Sequence, residues 1–305
     1  MKSTRHAGVS FLNGQIQVAE IEHGKKLTVT AMGERSCSVD FADVNGRLSQ
    51  AHPAVSTFAD ELGGLLKKEK IDAAFISFAL PTEPVFINVI PVDRTLEGQA
   101  LSSHLQWELE QYDPPIPVKD CILSAQPLPG GNDEVNHMLI VSVHRGTIGF
   151  LKKAASGLKP GLKFIDIDHF TAEKSLRINY PELKDKAVML LGLRPGRTDA
   201  SLVLGGEVCD HRAYATPGPQ EVKAAAGRYF ENISKRESGK PARVILHGVD
   251  ATYGIISLIQ HEIGIETLPL HAVRKLSPSK ALSEEYGSES ARFAAAIGLA
   301  LRAPA

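Results

Sequence analysis

Two stretches of this chain alternate apolar runs with glycine turns in the same way. Residues 186–209, KAVMLLGLRPGRTDASLVLGGEVC, open with an apolar run at 187–191 and turn through a loop holding Gly, Pro and Arg. They return through an apolar run at 200–204 and turn again at Gly205-Gly206. At the N-terminus, residues 6–12 lead through Asn13-Gly14 into 15–21, then over Gly24 into 27–31. Runs of this length bounded by glycine read as strands joined by tight turns. Gln15, Gln17 and Glu20 interleave with Ile16, Val18 and Ile21, as in a sheet packed on one face. The same unit beginning each half predicts two related lobes.

Between these units the period changes. Val55, Phe58, Leu62, Leu65 and Leu66 fall at helical spacing, and Lys67, Lys68 and Lys70 suit the end of a helix over 55–70. Residues 73–80 read as a buried strand stopped by Pro81. A strand at 85–92 leads to a helix over 95–112, with Leu101, Leu105 and Leu109 on one stripe. The run Asp113-Pro114-Pro115-Ile116-Pro117 ends that helix. Strands at 121–128 and 137–144, a helix over 147–158, a strand at 164–167 and a helix over 171–178 follow. The second lobe continues with helix 220–236, strand 243–247, helix 253–262, a short strand at 264–268 and a terminal helix over 290–302. Residues 275–287 read as a polar loop with some helix. This is the order of an α/β protein carrying a small α+β insert.

Composition adds limits. The 305 residues are 43% hydrophobic and 23% charged, ordinary for a globular chain with room for two cores. A formal net charge of −1 leaves no overall footprint for nucleic acid or an anionic membrane. Cys37, Cys121 and Cys209 are isolated from one another, which suits a reducing cytoplasm. No apolar run has the length of a membrane span, and MKSTRHAGVS has no signal-peptide core, so work at a membrane would need a partner to hold the protein there.

Four stretches carry a resemblance. They are LPTEPVFINVIPV (80–92), QWELEQYDPPIPVKDCILSAQPL (106–128), FIDIDHFTAEKSL (164–176) and FAAAIGLALR (293–302). In sequence and in element order the chain resembles the PilM family of type IV pilus assembly proteins. That family belongs to the actin-like ATPase superfamily and is related to the cell-division protein FtsA. The resemblance implies a two-lobed actin-like (ribonuclease H-like) α/β fold. Residues 1–83 and 160–181 would form the first lobe, 84–159 an inserted α+β subdomain, and 182–305 the second lobe.

The resemblance also implies a nucleotide between the lobes, cradled by two hairpins that each carry Asp-x-Gly. Here the first hairpin has Ser10 for the Asp, Leu12 for the Gly and Gln17 for a following Lys, with Asn13 and Gly14 at the turn. The second has Gly192 and Arg194 with no acid at the strand end; Asp199 lies across the loop. Gly248 and Asp250 stand where adenosine would sit. Mg²⁺ at phosphates is usually held through one or two carboxylates, and Leu12 brings an apolar side chain toward a pyrophosphate without a donor. These departures imply little or no ATP hydrolysis, with ATP and Mg²⁺ the cofactors that any residual binding would involve. Two readings stand for Arg194 and Arg197: charge-assisted contacts to phosphate, or a solvated loop.

Other residues also have two readings. Asp166 and Asp168, two apart on an expected strand, would share a face as a catalytic pair, or Asp168 would sit at the start of the next helix. His104, His137 and His144 match no metal spacing and read as surface or sheet-face residues. Trp107, with Tyr112 and Pro114, marks either a partner contact or packing within the insert. The resemblance favours a scaffold on the inner face of a bacterial inner membrane. It would dock the N-terminal tail of a PilN-like membrane protein between first lobe and insert, and self-association is a further partner expectation. It would bind no nucleic acid and would meet the membrane only through its partner. The alternatives are an active ATPase or small-molecule kinase of the actin and sugar-kinase superfamily, and a type II secretion platform component.

Overall fold

The structure is a computed structural model. It describes residues 4–43, 48–112, 117–129, 133–235, 240–249, 251–278, 282, 286–287 and 289–302. Strands β1 (Thr4–Leu12), β2 (Gln15–His23) and β3 (Leu27–Ser36) form an antiparallel meander. Helix α1 (Ala54–Lys68) then returns the chain to β4 (Phe75–Leu80), parallel to β1. Further along, β8 (Gly161–Ile167) adds in parallel beside β4, giving a sheet of order β3-β2-β1-β4-β8.

The second sheet repeats this plan. Strands β9 (Val188–Arg194), β10 (Gly196–Leu204) and β11 (Glu207–Thr216) form the meander. Helix α5 (Pro219–Ile233) leads to β12 (Arg243–Gly248), parallel to β9. Helix α6 (Tyr253–Ile263) leads to β13 (Thr267–Pro269), so the order is β11-β10-β9-β12-β13. Equal order and equal strand directions in both halves give the two lobes that the glycine-bounded runs predict.

Between the sheets lie α4 (Asp168–Asn179) and α7 (Ala294–Ala300). Their apolar side chains, including Ala172, Leu176, Ala296 and Ile297, share one core with Ile21 and Met32 of the first sheet and Leu190 and Ile245 of the second. The helices approach closely because glycine leaves room. A Cβ on Gly298 would lie 1.7 Å from the Thr171 carbonyl oxygen, and one on Gly8 would lie 2.0 Å from that of Ala296. The alanine-rich sequence of α7 is therefore a packing requirement, since larger side chains would push the lobes apart.

The insert is a three-stranded antiparallel sheet, β5 (Phe86–Asp93), β7 (Val135–His144) and β6 (Cys121–Leu128), in the order β5-β7-β6. Helix α2 (Gly98–Gln111) covers one face, where Leu105 meets Ile90, Val92, Met138 and Ile140. Helix α3 (Arg145–Ala155) falls inside the stretch 84–159, yet Phe150, Leu151 and Ala154 pack with Phe11, Phe58 and Phe78 in the core of the first sheet. Its sequence position follows the insert, but its apolar face belongs to the lobe.

Several boundaries differ from the periodicity. Helix α4 begins directly at the end of β8, with no loop between. The terminal helix is shorter than 290–302, because Ser290–Phe293 forms a 3₁₀ turn before it. The β9–β10 hairpin is tighter than the loop expected there: Arg194 pairs with Arg197 across Pro195-Gly196, and Gly196 has φ +73°. Proline followed by a positive-φ glycine suits such a tight turn. Both arginines thus belong to strands. Among the described residues no helix is long and apolar enough to cross a membrane.

Candidate functional site

The facing ends of β1 and β9 define the cleft between the lobes. At the β1–β2 turn Asn13 and Gly14 both have positive φ, 51° and 68°, as a type I′ hairpin requires. Both are exposed at the tip. Behind them Ser10 and Gln17 are buried cross-strand partners, with Ser10 Oγ donating to Gln17 Oε1 at 3.3 Å. Gln17 Nε2 in turn donates to Glu34 at 3.4 Å. These two polar side chains satisfy one another within the sheet.

Arg194 enters the cleft from the end of β9. Its Nε donates to both carboxylate oxygens of Glu83, at 2.6 and 2.7 Å, and Nη2 donates to the Phe11 carbonyl at 3.1 Å. Nη1 donates to Asp168 at the start of α4. Only 9% of Arg194 is exposed, so it belongs to no solvated loop. One guanidinium from the second lobe ties together β1, the entry to the insert and α4. Arg197 lies beside it and forms a forked pair with Asp199 at 2.9–3.2 Å. Asp199 also accepts from Thr82 Oγ1 at 2.5 Å, a second tie between lobes.

Burial raises the Asp168 carboxyl to about 7, against the pull of Arg194. Burial alone would lower the Arg194 guanidinium, but Asp168 and Glu83 together hold it above its ordinary value. Asp199 moves the other way: burial acts to raise it, and the Arg197 fork brings it down to about 2.

The cleft retains little space. A cavity of about 10 Å³ remains among Ser10, Gln17, Asp168, Arg194, His247 and Gly248, and one of about 20 Å³ lies beside Asn13 and Gly14. A drug-sized ligand occupies roughly 300–1,000 Å³; these spaces hold about a water each. Of the three glycines of the expected nucleotide site, Gly192 and Gly248 are tightly packed. A Cβ on Gly192 would lie 2.7 Å from His169 Nδ1 and 2.8 Å from His247 Nε2. Gly248 has φ +95°, and a Cβ there would lie 2.2 Å from the Leu193 carbonyl oxygen. Asp250 lies outside the described residues, as does Pro114.

The structure also corrects the reading of Asp166 and Asp168 as residues sharing one strand face. The chain changes from strand to helix between them. Asp166 faces Arg302, whereas Asp168 turns into the cleft. Sequence reading passed over a buried polar chain behind Arg197. His169 shares hydrogen bonds with His247 at 3.0 Å and with Ser201 Oγ at 2.9 Å, and Ser201 Oγ continues to His211 at 3.1 Å. Burial lowers His169 to about 3, His211 to about 4, and His247 well below its ordinary value. The available signal was polar residues at inward positions of apolar strands, Asp199 and Ser201 in β10 above all. His104 instead stacks on Trp107 and faces Glu108 at 3.7 Å. Among the described residues, no group of three or more His, Cys, Asp or Glu is placed to hold a metal ion.

A larger opening lies elsewhere. A groove of about 840 Å³ runs between the uncovered face of the insert sheet and the first lobe. Ile122, Ser124 and Gln126 of β6 and Leu139, Val141 and Val143 of β7 form one wall; residues 162–167 of β8 line the other side, together with Glu173 and Arg177 of α4 and Glu207 and Val208 of β11. Strand alternation explains the division, since Leu123, Ala125, Met138 and Ile140 point to α2 on the opposite face. Both β6 and β8 are edge strands of their sheets. Trp107 and Tyr112 are 54% and 48% exposed. They sit on and just after α2, on the far side of the insert sheet from the groove.

The doubled β-meander–helix–strand plan, with two packed helices between the sheets and a small sheet inserted into the first lobe, is the two-lobed actin-like fold. Among solved structures, the chain is similar to one from a PilM–PilN type IV pilus biogenesis complex. The TM-score is 0.79 at 18% identity, covering 97% of this chain and 98% of that one. A Bacteroides thetaiotaomicron protein with an actin-like ATPase fold gives a TM-score of 0.51 at 9% identity, over 87% of this chain and 90% of that one. The cytoplasmic domain of EpsL, an inner-membrane component of the Vibrio cholerae type II secretion system, gives 0.50 at 10% identity, over 85% and 94%. No protein-family model matches the sequence, and no curated protein matches it. At these identities the likeness defines the fold.

Proposed function

We propose that this protein is an assembly scaffold of a type IV pilus or related secretion machine, acting at the cytoplasmic face of an inner membrane. In this reading its groove receives the N-terminal tail of a PilN-like membrane partner, and it does not run on ATP hydrolysis. The observation that carries the reading is the contrast between the two openings: the interlobe cleft is filled by its own ion pairs, while the groove is wide and bordered by two strand edges. An extended peptide can add main-chain hydrogen bonds to an exposed edge while its alternate side chains enter an apolar wall. The similarity to a chain of a PilM–PilN complex supports the choice of partner.

The site residues follow from that contrast. Ile122, 39% exposed on β6, and Leu162 on β8 stand on opposite walls. The double substitution Ile122→Asp with Leu162→Asp is expected to weaken binding of a PilN-like tail peptide by roughly tenfold or more, because each places a charge in an apolar contact. Calorimetric titration of the peptide reads this. Equal affinity for the folded variant would remove the groove as the docking site. Trp107→Ala and Tyr112→Ala, on the other face, are expected to leave the affinity unchanged.

A further inference from the structure

Strands β4 and β8 are parallel neighbours, with Phe75 opposite Gly161. Each is entered from a helix through a short connection: α1 leads into β4 and α3 into β8. The C-terminal ends of α1 and α3 must therefore lie at one end of the first lobe, and contacts confirm it. Lys159 Nζ reaches Asp72 at 2.6 Å, and Leu158 lies 3.6 Å from the position of a Cβ on Gly63.

That end carries Lys67, Lys68 and Lys70 from α1 and its exit, and Lys152, Lys153 and Lys159 from α3 and its exit. All six are exposed, Lys68 at 72% and Lys159 at 80%. Two acids stand among them: Glu69, 18% exposed beside Lys68, and Asp72, paired with Lys159. Lys163 extends the patch, lying over the Phe75 ring at 5.4 Å. Helix C-termini favour lysine in the last turn, which accounts for Lys67, Lys68, Lys152 and Lys153 separately. It does not account for Lys70, Lys159 and Lys163 gathering at the same end. The chain's net charge of −1 conceals this local excess.

We propose that this lysine face of the first lobe rests directly on an anionic bilayer surface. Lysine ammoniums on flexible stems suit a diffuse negative surface, whereas sites that read nucleic-acid bases rely on guanidinium forks and stacked aromatics. Each lysine near such a surface contributes additively, and the attraction is screened within about 10 Å at 0.1 M salt. The face also adjoins the docking groove, because Lys152, Leu162 and Lys163 line one end of it. A tail leaving the groove at that end would run toward the membrane that anchors its owner. This orientation rests on the docking reading; the charge itself does not.

The test uses the full chain with vesicles of phosphatidylcholine containing about 30% phosphatidylglycerol, at about 0.1 M salt. The protein is expected to sediment with these vesicles, to ignore pure phosphatidylcholine, and to be released at about 0.5 M salt. The variant Lys67→Gln/Lys68→Gln/Lys70→Gln is expected to lose roughly tenfold or more of the vesicle affinity. These residues lie outside the groove, so the variant should still bind the tail peptide. Failure of the wild-type chain to bind anionic vesicles, or unchanged binding by the folded variant, overturns the proposal. Tighter binding to duplex DNA than to vesicles at equal salt also overturns it and assigns the face to nucleic acid. Loss of peptide binding in the groove variant with vesicle binding intact upholds both readings; vesicle binding without any peptide binding sinks only the docking reading.

Discussion

Arg194→Met is expected to lower the unfolding free energy by about 3–5 kcal/mol, the range for removing one partner from a buried ion pair. Arg194, Glu83 and Asp168 are 6%, 14% and 5% exposed at their side chains, so solvent screens these pairs little. Methionine retains the apolar stem but leaves two acids without their cation and the Phe11 carbonyl without its donor. Asp168 already has its carboxyl raised to about 7 and can take up a proton, which places the loss nearer 3 than 5 kcal/mol. The further change Asp168→Asn should restore part of it, since the two effects are coupled. Urea unfolding at about pH 7.5 measures both. A loss below about 1 kcal/mol would mean that the guanidinium does not hold the lobes together.

The second large effect is acid destabilisation. His6, lowered to about 4 by burial, joins His169, His211 and His247 as histidines kept neutral in the fold. An unfolded histidine titrates near 6.5. At pH 5 each of the four binds a proton on unfolding, while Asp168, already protonated in the fold, releases one. Glu173, whose carboxyl burial also raises, offsets a further part. The balance is an uptake of about two to three protons, so stability should fall by roughly 3–4 kcal/mol per pH unit there. The sign follows from the direction of the shifts. Depressed histidine values give stability that is complete above about 6.5 and is lost as the pH falls toward 4; the raised Asp168 acts oppositely between about 4 and 7 and only moderates the loss. Unfolding free energies at pH 7.5, 6 and 5 check this, and a flat profile would contradict the neutral histidine chain.

The architecture was largely legible because apolar periodicity reports burial. Glycine-bounded runs marked both meanders, and Phe58, Leu62 and Leu65 marked the buried face of α1. The α3 helix shows the limit of that signal: its pattern gives a helix but not which lobe covers Phe150. The site was harder to read. Arg194 and Arg197 looked like loop residues because Pro195-Gly196 between them suggested a wider break, whereas a tight turn keeps both in strands. Glu83 and Asp168, the partners of Arg194, lie far from it in the sequence, and an ion pair at such separations leaves no periodic trace. Asp199 is two residues from Arg197, but its buried tie to Thr82 is equally distant. His169, His211 and His247 were missed for the same reason. The groove is set by which face of the insert sheet α2 leaves uncovered, and alternation alone does not specify that.

The measurement that addresses the central claim most directly is thermal unfolding with and without millimolar ATP and Mg²⁺. A ligand that binds only the folded state raises the midpoint, and one present at a hundred times its dissociation constant adds about 2.7 kcal/mol, worth several degrees for a chain of this size. With the cleft closed by Arg194, the account predicts a midpoint unchanged within about a degree. A Mg²⁺-dependent rise of several degrees would contradict it and return the cleft to nucleotide chemistry.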